Sequence, residues 1–465
     1  MVHAMQGTRN CDSVYRQYPD AAANTRSQSQ LATRSRLGVE STEVPQAILG
    51  AKKENGWSIR VKESLPWIPT SSQQLLLRAL LHTDLDQAGI AINQWLQTVN
   101  IKRLDFGSYR LLPLLWKRAV ALDWDLPDLN MIKGIYRRTW YANQLHLTQL
   151  LTVTQALRAE NCEVLWLKGA ALIVNCYHDI GVRPISDVDI LVKPDDTYQT
   201  IETLVDAGWV PQPTPLTVSR TSNPKTLPEW VISPRPLNNF DPAYFIARHG
   251  HAFSKSNECE IDLHWRLIQE FDDSFLDEHS WKTAEPCVWR DTDVLVPEPA
   301  CHLLFLLLHG CRWNTTPAIR WIADSTYLIR SHGNRLDWKR FQELSARGNV
   351  CGVLSRMLYY LKNEMGVDVP NDCLKFIASH PTPSKTQRRW DTLQHAPGMH
   401  AALLELSLLR GRYRQYRHAQ KRTAKPRTFL SFIQHCIGAP SLTSFAKFAT
   451  KEIVRRTLPH HPGPL

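Results

Sequence analysis

Two aspartates separated by one residue, Asp187 and Asp189, have the spacing of a metal-binding pair. The run that they begin, Asp187-Val-Asp-Ile-Leu-Val192, predicts a short strand. Because side chains alternate along a strand, both carboxylates are expected on one face, roughly 7 Å apart. Such a pair can bind one hard cation, and Mg²⁺ suits it because Mg²⁺ takes oxygen ligands and keeps positions for water and substrate phosphate. Mn²⁺ is a second candidate, and a solvent-exposed pair at the start of an edge strand is the alternative.

A third carboxylate is predicted from a later pair of strands, 249–255 and 259–267, joined at Asn257-Glu258. Such short runs around a tight loop predict a hairpin. In the second run Glu260, Asp262 and His264 share a face that is opposite Ile261. Asp262 is therefore a candidate metal ligand, although an ordinary strand with a polar outer face has the same pattern.

Histidines of the same hairpin suggest an acceptor pocket. If Ser256 pairs with Cys259, His251 lies opposite His264, beside the third carboxylate. One of the two histidines would then act as a base, bind phosphate or bind a transition metal, and a polar surface is the alternative. The other candidates for this pocket lie in a later helical region: His309, Arg320 and Asp324. The last two are one helical turn apart, so a surface ion pair is their alternative interpretation.

Upstream, the apolar run 164–167 predicts a buried strand that stops at Lys168-Gly169, where a helix begins. Backbone amides at Gly169-Ala170 would then face a phosphate. Lys168 and Arg183 would neutralise charge that develops on a transferred group.

These motifs together resemble a known group. Leu167-Lys168-Gly169, then Arg183, then Ser186-Asp187-Val188-Asp189 is similar to a poorly characterised nucleotidyltransferase branch of the polymerase-beta-like (MNT-type) superfamily. The resemblance covers roughly residues 100 to 330. It implies that Asp187, Asp189 and Asp262 are catalytic metal ligands. It also implies that a nucleoside triphosphate such as ATP is bound by a set of residues near the turn: Lys168, Gly169, Ala170, Arg183 and Ser186. The superfamily has Gly-Ser or Gly-Gly at this turn, whereas this chain has Gly169-Ala170 and lacks the serine.

The resemblance implies an α+β fold, in which a small mixed-sheet nucleotidyltransferase core is flanked by helical regions. Composition indicates a soluble protein. Of 465 residues 43% are hydrophobic and 21% charged, which is ordinary for a globular chain. No apolar run is long enough to cross a bilayer. Ten cysteines without a C-x-x-C pair predict reduced thiols in a cytoplasmic protein.

Five regions are predicted along the chain. Residues 1–58 have a composition typical of a disordered leader, and 59–160 have the leucine spacing of a helical domain. Residues 161–298 contain the core, with a proline-rich insertion at 211–242, and 299–400 are helical again. The last region, 401–465, is a basic helical tail with 12 Lys and Arg against two acids. Its segment 410–456 is suited to contact with an anionic surface.

These residues and the resemblance together predict Mg²⁺-dependent transfer of a nucleotidyl or phosphoryl group to an unknown acceptor. The resemblance implies a glycan, a peptide or a small metabolite as that acceptor. Two alternatives remain open. One is a non-catalytic module that binds nucleotides or polyanions, which the missing serine favours. The other is a metal-dependent phosphohydrolase that uses the same carboxylates.

Overall fold

The structure is a computed structural model whose compact unit spans Glu63–Leu465. It describes the following residues: 65, 67–212, 245, 248–255, 259–271, 274–312, 314, 319–395, 399–420, 428–437, 443, 446 and 450. The predicted leader, nearly all of the proline-rich insertion, the 256–258 loop and most of the tail after residue 437 lie outside the described residues.

Helices precede the sheet, as the leucine spacing predicted. They are α1 Ser71–Leu81, α2 Leu85–Thr98, α3 Phe106–Tyr109, α4 Leu112–Ala121 and α5 Leu129–Ala159, with a 3₁₀ turn at Ile101–Arg103. Polar caps define several starts: Thr70 and Gln73 form a capping box before α1, and the Asp84 and Asp105 carboxylates accept from the first amides of α2 and α3. Pro113 lies in the first turn of α4, where its missing N–H costs no helical bond.

One seven-stranded mixed sheet forms the centre of the α+β fold. Its strands are β1 Leu165–Trp166, β2 Val188–Leu191, β3 Val210–Pro211, β4 Gly250–Lys255, β5 Cys259–His264, β6 Glu285–Trp289 and β7 Thr292–Val296. The spatial order is β3-β4-β5-β2-β1-β7-β6. β2 and β5 run parallel, while β4 and β5 form the predicted antiparallel hairpin.

Further helices lie between and after the strands. They are α6 Lys168–Leu172, α7 Thr197–Asp206, α8 Phe275–Lys282, α9 Pro299–Gly310, α10 Arg320–His332, α11 Trp338–Arg347, α12 Cys351–Met365, α13 Asn371–Ser379, α14 Ser384–Leu393, α15 Met399–Gln420 and α16 Phe429–Ile437. A π turn, Ile173–Tyr177, follows α6, and 3₁₀ turns span Pro194–Asp196 and Gly333–Arg335.

The two faces of the sheet belong to different cores. Leu165 and Leu191 pack into the large core that contains the N-terminal helices, α9 and α10. Trp166, Ile190 and Ile261 point the other way, into a second core beneath α5 and α7. Asp189 alternates with Ile190 and therefore lies on the face of the large core, under the helices that supply the rest of the site.

Part of the predicted basic tail is packed against the unit. The Arg412 guanidinium donates to the carbonyls of Gln269 and Phe271, and Tyr416 is buried with Phe432 of α16. Arg410, Arg414 and Arg417 are exposed on α15. In the described part of the chain, no helix combines the length and the apolar character that crossing a bilayer requires.

Candidate functional site

Adjacent parallel strands bring two of the predicted carboxylates together. Asp189 of β2 is directly beside Asp262 of β5 in the strand register. The Asp189 side chain is buried, whereas that of Asp262 is 32% exposed. The strand β2 begins at Val188, one residue later than predicted, so Asp187 lies in the bend before it and accepts from the Ser186 hydroxyl at 2.7 Å.

His264 joins the two carboxylates. Its Nε2 lies 3.2 Å from Asp189 Oδ1 and 3.1 Å from Asp262 Oδ2. Burial opposes the charged imidazole, but the neighbouring Asp262 and Asp189 carboxylates outweigh it and raise the pKa of His264 to about 9. In return, although burial acts in the opposite direction, the imidazolium holds the pKa of Asp262 far below its usual range. His264 is therefore a cation in this arrangement.

Lys168 is the second cation of this cluster. Its Nζ lies 2.5 Å from Asp189 Oδ1, and its backbone has φ +42°, a left-handed conformation that is unusual for lysine. Burial works against its charge, yet Asp189 raises the pKa of Lys168. We call Lys168, Asp189, Asp262 and His264 the carboxylate cluster; its two negative and two positive charges balance.

The donor set of this cluster fits a divalent cation. One ligand atom each from Asp189, Asp262 and His264 lies within 4.8 Å of the other two. Two carboxylates with an imidazole suit Mn²⁺ better than Mg²⁺, because Mg²⁺ prefers oxygen ligands alone. His264 would have to lose a proton before its Nε2 could bind either ion. Asp187 is outside this group of three, and its role as a ligand stays a prediction.

The predicted hairpin register was wrong by one residue. Lys255, not Ser256, pairs with Cys259, so three residues separate the paired ends and Ala252 lies opposite Asp262. A slip of one residue moves every side chain to the other face. His251 therefore lies beside Leu263 on the face away from Asp262, and the His249 ring instead lies 5.5 Å from that of His264.

A cavity of about 680 Å³ borders the carboxylate cluster. Nine of the predicted site residues line it: Lys168, Gly169, Arg183, Ser186, Asp187, Asp189, His309, Arg320 and Asp324. Four others are not among its lining residues: Ala170, His251, Asp262 and His264. Ala170 is buried in the second core, so the side chain at this position faces away from any phosphate.

Arg183 and Asp324 form a buried, bidentate ion pair across this cavity. The guanidinium Nε and Nη2 each lie 2.8 Å from an Asp324 oxygen, and the Tyr177 hydroxyl donates to the same carboxylate at 2.9 Å. Asp324 therefore pairs with Arg183 and not with Arg320, its neighbour one helical turn away. Gly169 makes room for this pair, because a Cβ there would overlap Nη1 of Arg183.

One buried amide on α5 holds the loop that carries Arg183. Asn143 Nδ2 donates to the carbonyls of Ile180 at 2.5 Å and Arg183 at 2.8 Å, and its Oδ1 accepts from the Ile185 amide at 3.0 Å. These bonds satisfy three backbone groups of a segment without regular structure. Its sequence signal was weak, because Thr139 and His146 are also polar residues on the buried side of α5.

His309 lies exposed at the end of α9, on the cavity wall. The Lys168 ammonium, together with desolvation, lowers the pKa of His309 to about 3. The imidazole is therefore neutral at pH 7, and its low basicity disfavours a role as general base.

Sequence comparison agrees with this arrangement. A protein-family model described as "Uncharacterised nucleotidyltransferase" matches residues 108–366, more than half of the chain. The chain belongs to this nucleotidyltransferase family. Its matched region extends from the segment that carries Arg110 through the sheet to the end of α12. It includes the carboxylate cluster and all the cavity-lining residues except Phe106 and Gly107. No curated protein shows significant similarity to the chain.

Proposed function

We propose that this chain transfers a nucleoside monophosphate, or a phosphoryl group, from a nucleoside triphosphate to a hydroxyl or phosphate of its acceptor, with Mg²⁺ or Mn²⁺ bound. The observation that carries the proposal is the adjacency of Asp189 and Asp262 on parallel strands, next to a cavity with an excess of positive charge. The family supports the nucleotide as substrate.

Asp189 and Asp262 are the proposed ligands, with Asp187 at the cavity wall as the third carboxylate. A bound divalent cation would stabilise negative charge on the phosphates of the nucleotide. Lys168 forms an ion pair with Asp189 and lines the cavity, so a cation that bound Asp189 would displace its ammonium toward the cavity. There it would contact the phosphates.

In the proposed step, the acceptor oxygen forms a bond to the alpha phosphorus. The bond from that phosphorus to the bridging oxygen breaks, and pyrophosphate leaves with the electron pair. The acceptor proton passes to solvent. Asp262 is a poor candidate for the base, because the His264 imidazolium holds its pKa far below neutrality. Binding metal is its better-supported role.

The test is transfer of label from the four alpha-labelled nucleoside triphosphates to candidate acceptors, with mass analysis of the products. We expect Asp189→Asn and Asp262→Asn each to reduce transfer by about 10³-fold, since each removes a charged ligand of the metal that would stabilise the transition state. Asp195→Asn is the matched control, because Asp195 is exposed in the 3₁₀ turn after β2. Its transfer rate should equal that of the wild type.

Wild-type transfer rates in both cluster variants, with an unchanged circular dichroism spectrum, would refute the proposed catalytic site. Release of nucleoside monophosphate without a labelled acceptor would indicate that water is the acceptor, and the chain would then be a phosphohydrolase.

The second candidate is a non-catalytic module that binds nucleotide. One observation favours it: Lys168 and His264 already neutralise Asp189 and Asp262, as stable ion pairs in a binding protein do. Calorimetric titration separates the candidates. Binding of triphosphate that depends on Mg²⁺ and is followed by turnover supports the enzyme, and binding that is unaffected by EDTA supports the module.

A further inference from the structure

Three arginines meet on the helical side of the cavity. Arg110 follows α3, Arg183 lies in the loop before β2, and Arg320 is the first residue of α10. We call these residues the arginine cluster. They come from segments far apart in sequence, and Arg110 has no motif around it, so it was not among the predicted site residues.

The arginines differ in how their charges are compensated. Arg183 is paired with Asp324. Within the described part of the chain, neither Arg110 nor Arg320 has a carboxylate at ion-pair distance: the Arg320 guanidinium donates to the Pro184 carbonyl, and that of Arg110 lies 5.4 Å from the centre of the Phe106 ring. In the described residues neither charge is neutralised by an ion pair, although Asp187 attracts Arg110 and Asp324 attracts both arginines from a longer distance.

The positive charges of the three arginines repel one another. Burial and the nearby charges of Arg183 and Arg110 lower the pKa of Arg320 well below its ordinary value. Burial and Arg183 likewise lower that of Arg110. An anion bound between the guanidinium groups would relieve both the repulsion and the lost hydration, which is why forked arginine sites bind phosphate strongly.

The position of the cluster indicates which anion fits. The same cavity is lined by Asp187 and Asp189 and by the three arginines, with Arg183 against the Gly169 backbone. Five cationic and three anionic side chains line it: Arg110, Arg138, Lys168, Arg183 and Arg320 against Asp187, Asp189 and Asp324. An extended polyanion that reaches from the carboxylates to the arginines matches this distribution better than a single small anion.

We propose that Arg110 and Arg320 bind the terminal phosphates of the nucleoside triphosphate, a role that rests on the proposed function. They supply the contacts that this chain cannot obtain from a serine at the Gly169-Ala170 turn, because position 170 carries no hydroxyl and is buried. The donor's polyphosphate is thus recognised by residues that precede and follow the sheet, and its orientation sets the alpha phosphate next to the carboxylate cluster.

The test uses inorganic tripolyphosphate, which needs no knowledge of the base, titrated calorimetrically into the full chain with Mg²⁺ and with EDTA. We expect Arg110→Gln and Arg320→Gln each to weaken binding at least tenfold under both conditions, with partial recovery in Arg320→Lys. The control is Arg137→Gln, since Arg137 is exposed on α5 and does not line the cavity. It should bind like the wild type.

Tripolyphosphate affinities within twofold of wild type for both glutamine variants, with unchanged thermal stability, would overturn the assignment. Phenyl phosphate provides the second arm: equal affinity for it and equal losses in the variants would mean that the cluster binds one anionic group of an acceptor, which also contradicts the proposal. Asp189→Asn separates this inference from the proposed function. Absence of transfer in the wild type, together with arginine-dependent tripolyphosphate binding that survives in Asp189→Asn, would refute the enzyme and retain the phosphate site.

Discussion

The carboxylate cluster and the arginine cluster differ in how their charges are compensated. In the carboxylate cluster two anions are matched by Lys168 and His264 within hydrogen-bond distance. In the arginine cluster only Arg183 forms an ion pair, with Asp324. In the described residues Arg320 donates to a backbone carbonyl and Arg110 lies near an aromatic ring. The charges of the carboxylate cluster are thus balanced by ion pairs without a ligand, whereas those of the arginine cluster are not.

This difference teaches how the site would be filled. A buried charge without a partner is expensive, so internal ion pairs stabilise the carboxylate cluster, which would bind a metal only if one of its cations were displaced. The arginine cluster would gain free energy from an anion bound between its guanidinium groups. A triphosphate that binds first at the arginine cluster would also draw Lys168 toward its phosphates and so expose Asp189 to a metal.

The largest expected effect comes from removing Asp324, the carboxylate that pairs with Arg183 of the arginine cluster. Asp324→Asn leaves Arg183 buried without a carboxylate, so we expect the free energy of unfolding to fall by about 3–5 kcal/mol. Urea denaturation measures it, with Asp372→Asn, an exposed residue on α13, as the control that should not change. A loss of unfolding free energy as small as that of the control would mean that Arg183 needs no carboxylate partner. The contrast between the carboxylate cluster and the arginine cluster would then disappear.

The next effect concerns the support beneath the same arginine. Asn143→Leu leaves two carbonyls and one amide of the 180–185 loop without partners, which should cost about 2–4 kcal/mol of unfolding free energy. Gln149→Ala, at an exposed position of the same helix, is the control for denaturant titration. Tripolyphosphate affinity should fall as well, since Arg183 loses its fixed position. An unchanged midpoint would show that the loop is held by other contacts.

The smallest effect is expected at the carboxylate cluster. Lys168→Met removes the cation that competes at Asp189, so the dissociation constant for Mn²⁺ should fall about tenfold, or about 1.4 kcal/mol. Electron paramagnetic resonance of free Mn²⁺ measures it. Lys193→Met, which removes a half-exposed surface pair with Glu163, is the control. Weaker Mn²⁺ binding in Lys168→Met would show that Lys168 organises the ligands and does not compete with the metal.

Much of the fold followed from local patterns. Leucine spacing predicted the helices before the sheet, and alternation predicted that Asp262 and His264 share a face of β5. The hairpin register was wrong because it depends on the number of loop residues, which alternation does not specify. With this slip Gly250, and not His251, lies opposite His264.

The sequence by itself determined the family, and it predicted the candidate site residues: the aspartates on β2 and β5 and the turn at Gly169. Only the tertiary structure decided how their charges are shared. Lys168 and His264 meet Asp189 because parallel pairing and a left-handed lysine place them there, and Arg110 reaches the cavity because separate helices close over the sheet. Strand alternation acts over a few residues, whereas the pairing of buried charges depends on distances between segments that are 21 to 141 residues apart in the chain.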